Sequence, residues 1–309
     1  MSSATAKAQP QPTSATSNVL LVAVLLVLDS LHFVFARMLL PHIEPGSSVM
    51  YVLAVSTVEV GIFGLATRRL SRQPAKRHFW FFLAIGLLIA ASTAINYEAV
   101  AFVDPGTASL LSQTSVLFSL GFGLLWLKDR LSRAQIGGAC LAIIGIFVIT
   151  FQPGDYLRLG SLLVVGSSLM YALHAALTKR FAGDIDLVSF FFFRLLFTTG
   201  VLFAIAATRG VLVWPELHVW PLILLVGTVD VVLSRTLYYL ALRRLTMSIH
   251  TLALTLSPIA AILWALLFFR TLPSFQQILG GVAVIGGVLV VSLNATRDTD
   301  QVSNQEVVL

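Results

Sequence analysis

The sequence predicts an all-α integral membrane protein, with ten transmembrane helices arranged as two inverted five-helix repeats. Three observations predict it: a composition too poor in charge to face water, apolar runs of membrane-spanning length, and an internal repeat. Of 309 residues, 57% are hydrophobic and 11% charged, with a mean hydropathy of +0.91. A soluble domain carries about 25% charged residues. So few charges cannot cover a globule in water, and most of the surface must face lipid.

The apolar runs fall at roughly 18–40, 47–67, 79–103, 105–127, 134–151, 159–181, 187–208, 219–242, 246–269 and 275–293. Crossing the hydrocarbon core takes about 20 apolar residues per helix. The breaks carry turn chemistry or charge, as at Pro41/Pro45/Gly46, Asp104-Pro105-Gly106, Pro153-Gly154-Asp155, Arg243-Arg244 and Arg270–Pro273. Barrel strands are half this length and alternate polar with apolar residues, which these runs do not. Residues 1–17 are Ser, Thr, Ala, Gln and Pro with one Lys, and read as a disordered tail. The run at 18–40 exceeds a signal-peptide core and reads as the first helix. Residues 294–309 read as a second loose, polar tail. Cys140 stands alone, so no disulfide framework and no cysteine metal site is expected.

Basic residues orient the spans. With the N-terminus in the cytoplasm, the inner loops and tails hold fourteen Lys or Arg, and the outer loops hold only Arg158, Arg209 and Arg270. Both termini are therefore expected to be cytoplasmic, in a multi-pass protein of the plasma (inner) membrane. The net charge of +6 is explained by topology, and no nucleic-acid partner is expected.

Sliding the chain against itself by 142 residues places Ser132, Gln135, Gly138 and Gly145 on Ser274, Gln277, Gly280 and Gly287. The same shift puts Leu31-His32 on Leu173-His174, Arg37 on Lys179, Ser92 on Ser234 and Tyr97 on Tyr239. Polar and glycine matches at one shared offset are hard to obtain from composition. The repeats are expected at 18–151 and 159–293. Each holds five helices, an odd number, so the second enters the membrane inverted. Secondary transporters often use this plan, because two rocking halves can expose a central site to either side.

These residues resemble the drug/metabolite transporter superfamily, EamA type, over about residues 18–293. The most specific part is Leu127-Lys128-Asp129-Arg130-Leu131-Ser132 followed by Gln135, Gly138 and Gly145. The second half keeps Pro273-Ser274, Gln277, Gly280 and Gly287, with Thr271 where an acid is usual. The resemblance implies a transporter of small solutes with no cofactor and no catalytic or metal residues. It also implies that helices 5 and 10 lie away from the solute path, often at a homodimer contact.

An ionisable group at the bilayer centre costs at least ~2.5–3.5 kcal/mol, so it should face a cavity or a partner. Here these groups are Asp29, His32, Arg37, Glu59, Glu98, His174, Arg194, Asp230 and Arg235. Helices 5 and 10 have none and carry glycines instead, as close packing requires. Helical spacing aligns Asp29 with His32 and Ala36. It also aligns Ser167, Tyr171, His174 and Thr178, and Asp230, Ser234 and Tyr238. Shorter stripes pair Ser92 with Asn96, Ser109 with Gln113 and Thr251 with Thr255. The candidate substrate-binding or coupling residues are therefore Asp29, His32, Glu59, Asn96, Gln113, Tyr171, His174, Arg194, Asp230, Arg235 and Tyr238. Asp29 and Asp230 show no basic residue at matching depth and are the foremost candidates. A poorly solvated carboxylate is a candidate proton carrier. Arg194, Arg235 and Glu59 share the cytoplasmic third, where a structural ion pair is the competing reading. Glu98 and Arg37 are placed to pair near the outer end. His32 and His174 either bridge helices or line the cavity.

The sequence has no Gly-x4-Gly-Lys-Ser/Thr loop and no His-Glu-x2-His, so ATP hydrolysis and zinc-protease chemistry have no motif to rest on. The expected function is secondary transport or export of a small polar or amphipathic solute by alternating access, with protons as a possible coupling ion. The alternative is a membrane-embedded enzyme acting on a lipid or lipid-linked substrate.

Overall fold

Proline and acidic caps start the helices where the sequence carries turn chemistry. A computed structural model describes residues 15–122, 132–152, 156–157, 159–182, 185–210, 212–244 and 256–306. The signature at Leu127–Leu131, the Thr251/Thr255 stripe, the turn at Pro153–Asp155 and the tail at 1–14 lie outside the described residues.

The first half contains α1 (Ala15–Asp29), α2 (His32–Leu39), α3 (Pro45–Ala66), α4 (Gln73–Arg77), α5 (Phe79–Ala99), α6 (Pro105–Ser112), α7 (Thr114–Phe122) and α8 (Arg133–Thr150). Two short strands, β1 (Phe151–Gln152) and β2 (Tyr156–Leu157), follow as an antiparallel pair. The second half contains α9 (Leu159–Phe181), α10 (Leu187–Arg209), α11 (Trp220–Val226), a π-helical stretch at Gly227–Leu233, α12 (Ser234–Arg244), α13 (Ser257–Phe269) and α14 (Phe275–Glu306). Among the described residues, six helical stretches are long and apolar enough to cross a membrane: Leu20–Leu39, Pro45–Ala66, Phe79–Ala99, Leu159–Thr178, Leu187–Arg209 and Leu217–Tyr238. Arg133–Ile149, Ser257–Phe269 and Phe275–Val291 are shorter apolar helices.

Three predicted continuous spans are interrupted. Span 1 breaks at Ser30–Leu31, span 4 at Gln113, and span 8 passes through the π stretch. Such breaks expose backbone groups and are tolerated inside a membrane only where protein or water satisfies them. The C-terminal segment also departs from expectation. Helix α14 continues to Glu306 rather than loosening after Leu293, because no proline or glycine after Gly287 interrupts it.

The polarity is that of a lipid-facing bundle. Ile62, Phe63, Trp80, Phe147, Leu263, Leu267 and Val282 are exposed, whereas Ser56, Ser92, Ser167, His174, Arg194 and Asp230 are buried. In water this arrangement would be an aggregation liability. In hydrocarbon it satisfies both sides.

Local features recur at the spacing of 142. Glu44 caps α3 by accepting from the N–H groups of Gly46 and Ser47, and Asp186 caps α10 by accepting from Val188 and Ser189. Arg68 after α3 and Gly210 after α10 both adopt positive φ, at 54° and 68°. Ser132 and Gln135 form a reciprocal capping box before α8, with bonds of 2.8 and 3.2 Å, and Ser274 and Gln277 form the same box before α14, at 2.6 and 3.3 Å. Thr57 and Thr199, themselves 142 apart, share a hydrogen bond of 3.1 Å between α3 and α10.

Helices α8 and α14 pack along their glycines. Gly138 meets Gly287 and Gly145 meets Gly280, so exchanging the halves maps the contact onto itself, as a two-fold axis does. The halves interlock elsewhere too. Helix α1 packs on α12 and α13, α6 on α13, and α5 and α7 on α9.

Candidate functional site

The break in span 1 builds the site. Asp29 ends α1, and the chain turns at Ser30, whose hydroxyl donates to the Val27 carbonyl at 2.8 Å. The Trp264 indole N–H from α13 donates to the same hydroxyl at 3.1 Å, fixing the break. A carboxylate at a helix C-terminus meets the negative end of the helix dipole. Asp29 is compensated by the Arg235 guanidinium of α12 at 3.6 Å and by the Ser257 hydroxyl, which donates at 3.1 Å.

His32 opens α2, two residues past that break. Its Nδ1 lies 2.8 Å from Oδ2 of Asp230, on the π stretch of span 8. The His32 ring also meets Phe33 and Tyr97 edge-on, with centroids 5.1 and 6.1 Å apart. Asp230 is 3% exposed, and its Oδ1 is buried with no hydrogen-bond partner among the described residues. A π stretch rotates less per residue than an α-helix, and such bulges often mark functional positions. This one lets Asp230 and Arg235, five residues apart, both engage the break in span 1.

Around this core lie Tyr171, Tyr238, His174 and Arg194. Arg235 lies within electrostatic range of Tyr171, Asp29, Asp230 and Tyr238, and His174 within that of Arg194 and Arg235. The Tyr171 and His174 rings are 5.5 Å apart. Beside them, Ser92 and Ser167 bond hydroxyl to hydroxyl at 3.0 Å. The structure thus brings together Asp29, His32, Tyr171, His174, Arg194, Asp230, Arg235 and Tyr238, drawn from spans 1, 6, 7 and 8.

Three sequence expectations are corrected. Asp29 and Asp230 do have basic partners, Arg235 and His32. Depth read from backbone position missed Arg235, because its long side chain carries the charge roughly one helical turn from its own Cα. Second, Glu59 pairs with neither Arg194 nor Arg235. It accepts from the Thr228 hydroxyl at 2.7 Å, between α3 and the π stretch of span 8. Third, Arg37 does not pair with Glu98, which is exposed. Arg37 donates to the Val100 and Val103 carbonyls at 3.4 and 3.3 Å and lies over the Phe269 ring, so backbone dipoles and an aromatic face supply the compensation.

Of the two further candidates, Gln113 sits at the α6–α7 break, and Asn96 on α5 keeps a buried Oδ1 without a partner among the described residues. Sequence reasoning did not assign Ser30, Ser257 or Trp264 to the site. Ser257 next to Pro258 on span 9 was the available signal. The metal-ligating residue types form no group of three or more among the described residues.

Apolar spans with a buried charge cluster at the junction of two like halves define a polytopic membrane protein of transporter type. The chain belongs to the EamA-like transporter family, which matches it twice, at residues 16–151 and 158–293. It is 23% identical over 241 residues to the uncharacterized transporter sll1164 of Synechocystis, covering 72% of this chain and 66% of that one. It is also 23% identical over 202 residues to the uncharacterized transporter YdfC of Bacillus subtilis, covering 63% and 65%. The chain thus spans about two thirds of the length of these relatives. A solved protein structure superposes with a TM-score of 0.62 at 18% identity, over 92% of this chain and 99% of that one. That likeness concerns the fold.

Proposed function

We propose that this protein is a secondary transporter of a small polar or amphipathic solute, with amino-acid-like or drug-like chemistry, working by alternating access. The observation that carries the reading is the cluster itself. Its charges come from both repeats, Asp29 and His32 from the first and His174, Arg194, Asp230 and Arg235 from the second. Rocking of one half against the other would therefore remake its ion pairs. The chain has ten spans in two inverted halves, an arrangement supported by the repeated caps and the self-complementary α8–α14 contact. Both termini lie in the cytoplasm, and the protein resides in the plasma membrane.

Helices α8 and α14 stand outside the solute path. Four of their glycines meet one another within the chain, so a homodimer would use their outer faces, where Cys140, Ile144 and Phe147 are exposed. Cross-linking of Cys140 in native membranes tests that contact, and a chain that stays uncrosslinked removes it. The functional test is metabolite-uptake and resistance profiling of overexpressing cells, followed by flux in proteoliposomes, with Asp230→Asn as control. Transport lost in the variant is the expected outcome. Absence of any solute flux, or flux unchanged in the variant, refutes the reading.

A further inference from the structure

Arg194 is the anomalous charge of the bundle. Two of the other charged groups in the cluster form an ion pair, Asp29 with Arg235, and Asp230 is bound to His32. Arg194 on α10 is 8% exposed, its Nε is sealed without a hydrogen-bond partner, and its guanidinium has no carboxylate within 4.0 Å among the described residues. The Phe191 ring lies 5.9 Å from it, and the imidazole of His174 lies within electrostatic range. Glu59, the acid on the adjacent α3, is engaged by Thr228 instead.

His174 repeats the anomaly. It is 6% exposed, and neither ring nitrogen makes a hydrogen bond of good geometry, although the Tyr171 backbone one turn back lies close to the ring. Buried polar groups almost always find partners, and an unpaired exception calls for an explanation. Here the two exceptions, a guanidinium and an imidazole, both carry N–H donors. A guanidinium offers parallel N–H groups that match a carboxylate or phosphate, and an imidazole can add a third donor.

We propose that Arg194 and His174 form an anion subsite that takes the carboxylate or phosphate group of the bound molecule. This rests on the reading of the cluster as the solute path and narrows the solute to one bearing an anionic group. The anion is held on the second repeat. The Asp29–Arg235 and Asp230–His32 contacts beside it join the two repeats and stay available to rearrange.

The same chemistry could come from a free solute or from an anionic lipid headgroup, and the test separates them. Purified full-length protein is melted in detergent at constant ionic strength with acetate, benzoate or inorganic phosphate, each against a neutral control (acetamide, benzamide, or none for phosphate). At least one anion is expected to raise the midpoint saturably above its control, and Arg194→Gln to weaken that anion at least tenfold. Arg194→Lys, which keeps the charge but loses the fork, should weaken it less and serves where the glutamine variant is unfolded. The proposal is overturned if no anion stabilises the wild type above its control, or if the effect is unchanged in Arg194→Gln. In nanodiscs, phosphatidylglycerol that abolishes the free-anion effect, relative to phosphatidylcholine, assigns the subsite to a headgroup. Free-anion binding that persists in phosphatidylglycerol assigns it to a solute. Anion binding without flux in proteoliposomes would leave the subsite standing and remove the transport reading, whereas flux indifferent to Arg194→Gln would do the reverse.

Discussion

The contact between α8 and α14 offers the sharpest structural test. A methyl group added at Gly145 would sit 2.5 Å from the Gly280 carbonyl oxygen and 2.7 Å from the Val284 nitrogen. A comfortable carbon–oxygen contact is about 3.3–3.6 Å, so α8 and α14 must separate by the better part of an ångström. The obstruction is backbone and cannot turn aside. Overpacking of this kind costs about 1–3 kcal/mol. The alanine recovers about 1 kcal/mol of helix propensity, leaving Gly145→Ala destabilised by up to about 2 kcal/mol. Gly137→Ala is the matched control, because nothing lies within 4 Å of its added methyl, and it should be neutral or stabilising. Gly145→Ala with Gly280→Ala should lose less than the sum of the single losses, since either methyl opens the same gap. The assay is thermal unfolding of the purified protein in detergent. A Gly145→Ala midpoint equal to or above that of Gly137→Ala would refute the packing argument.

Arg235→Gln leaves the partly exposed Asp29 without its cation; breaking a fully buried pair costs about 3–5 kcal/mol and an exposed one about 0–1 kcal/mol, so thermal unfolding should show a loss between these, with Asp29→Asn partly restoring it. Asp186→Ala removes the acceptor for two N–H groups at the start of α10 and should cost about 0.5–2 kcal/mol, with Glu44→Ala, its counterpart on α3, matching it within experimental spread. Cysteine placed at Gly154 in a Cys140→Ser background should be labelled from outside intact cells and cysteine at Arg72 should not; the opposite pattern would invert the assigned orientation.

Much of the fold was legible because lipid imposes one dominant rule, that apolar runs of sufficient length become helices. The repeat was legible because caps and glycines resist substitution by composition, and Ser132/Gln135 against Ser274/Gln277 showed the offset. The interruptions were not legible. Nothing in Asp29-Ser30-Leu31 signals a break by turn chemistry, because the Trp264 contact that fixes it comes from 234 residues away. The site residues were found by their cost in the membrane, which identifies a charge but not its partner. Asp29 and Asp230 therefore looked unpaired until tertiary packing brought Arg235 and His32 to them. The same blindness assigned Arg37 to Glu98, when backbone carbonyls supply the compensation.

The two acids differ in what they can do with a proton. Asp29 faces a guanidinium, which stays charged at any physiological pH, so the Asp29–Arg235 pair is a fixed dipole. Asp230 faces an imidazole, the one side chain whose ordinary titration falls near neutrality. The pair's buried carboxylate and partly exposed His32 give one sheltered and one accessible partner. Proton coupling should therefore run through Asp230 and His32 rather than through Asp29. In proteoliposomes, a pH gradient alone should drive uphill flux by the wild type. Asp230→Asn and His32→Gln should lose uphill flux while retaining exchange, and Asp29→Asn should lower rate and stability but keep uphill flux in whatever fraction still folds. Wild-type protein that only equilibrates solute under a pH gradient would show that these acids bind charge without carrying protons. Uphill flux that survives His32→Gln would move the proton to another group.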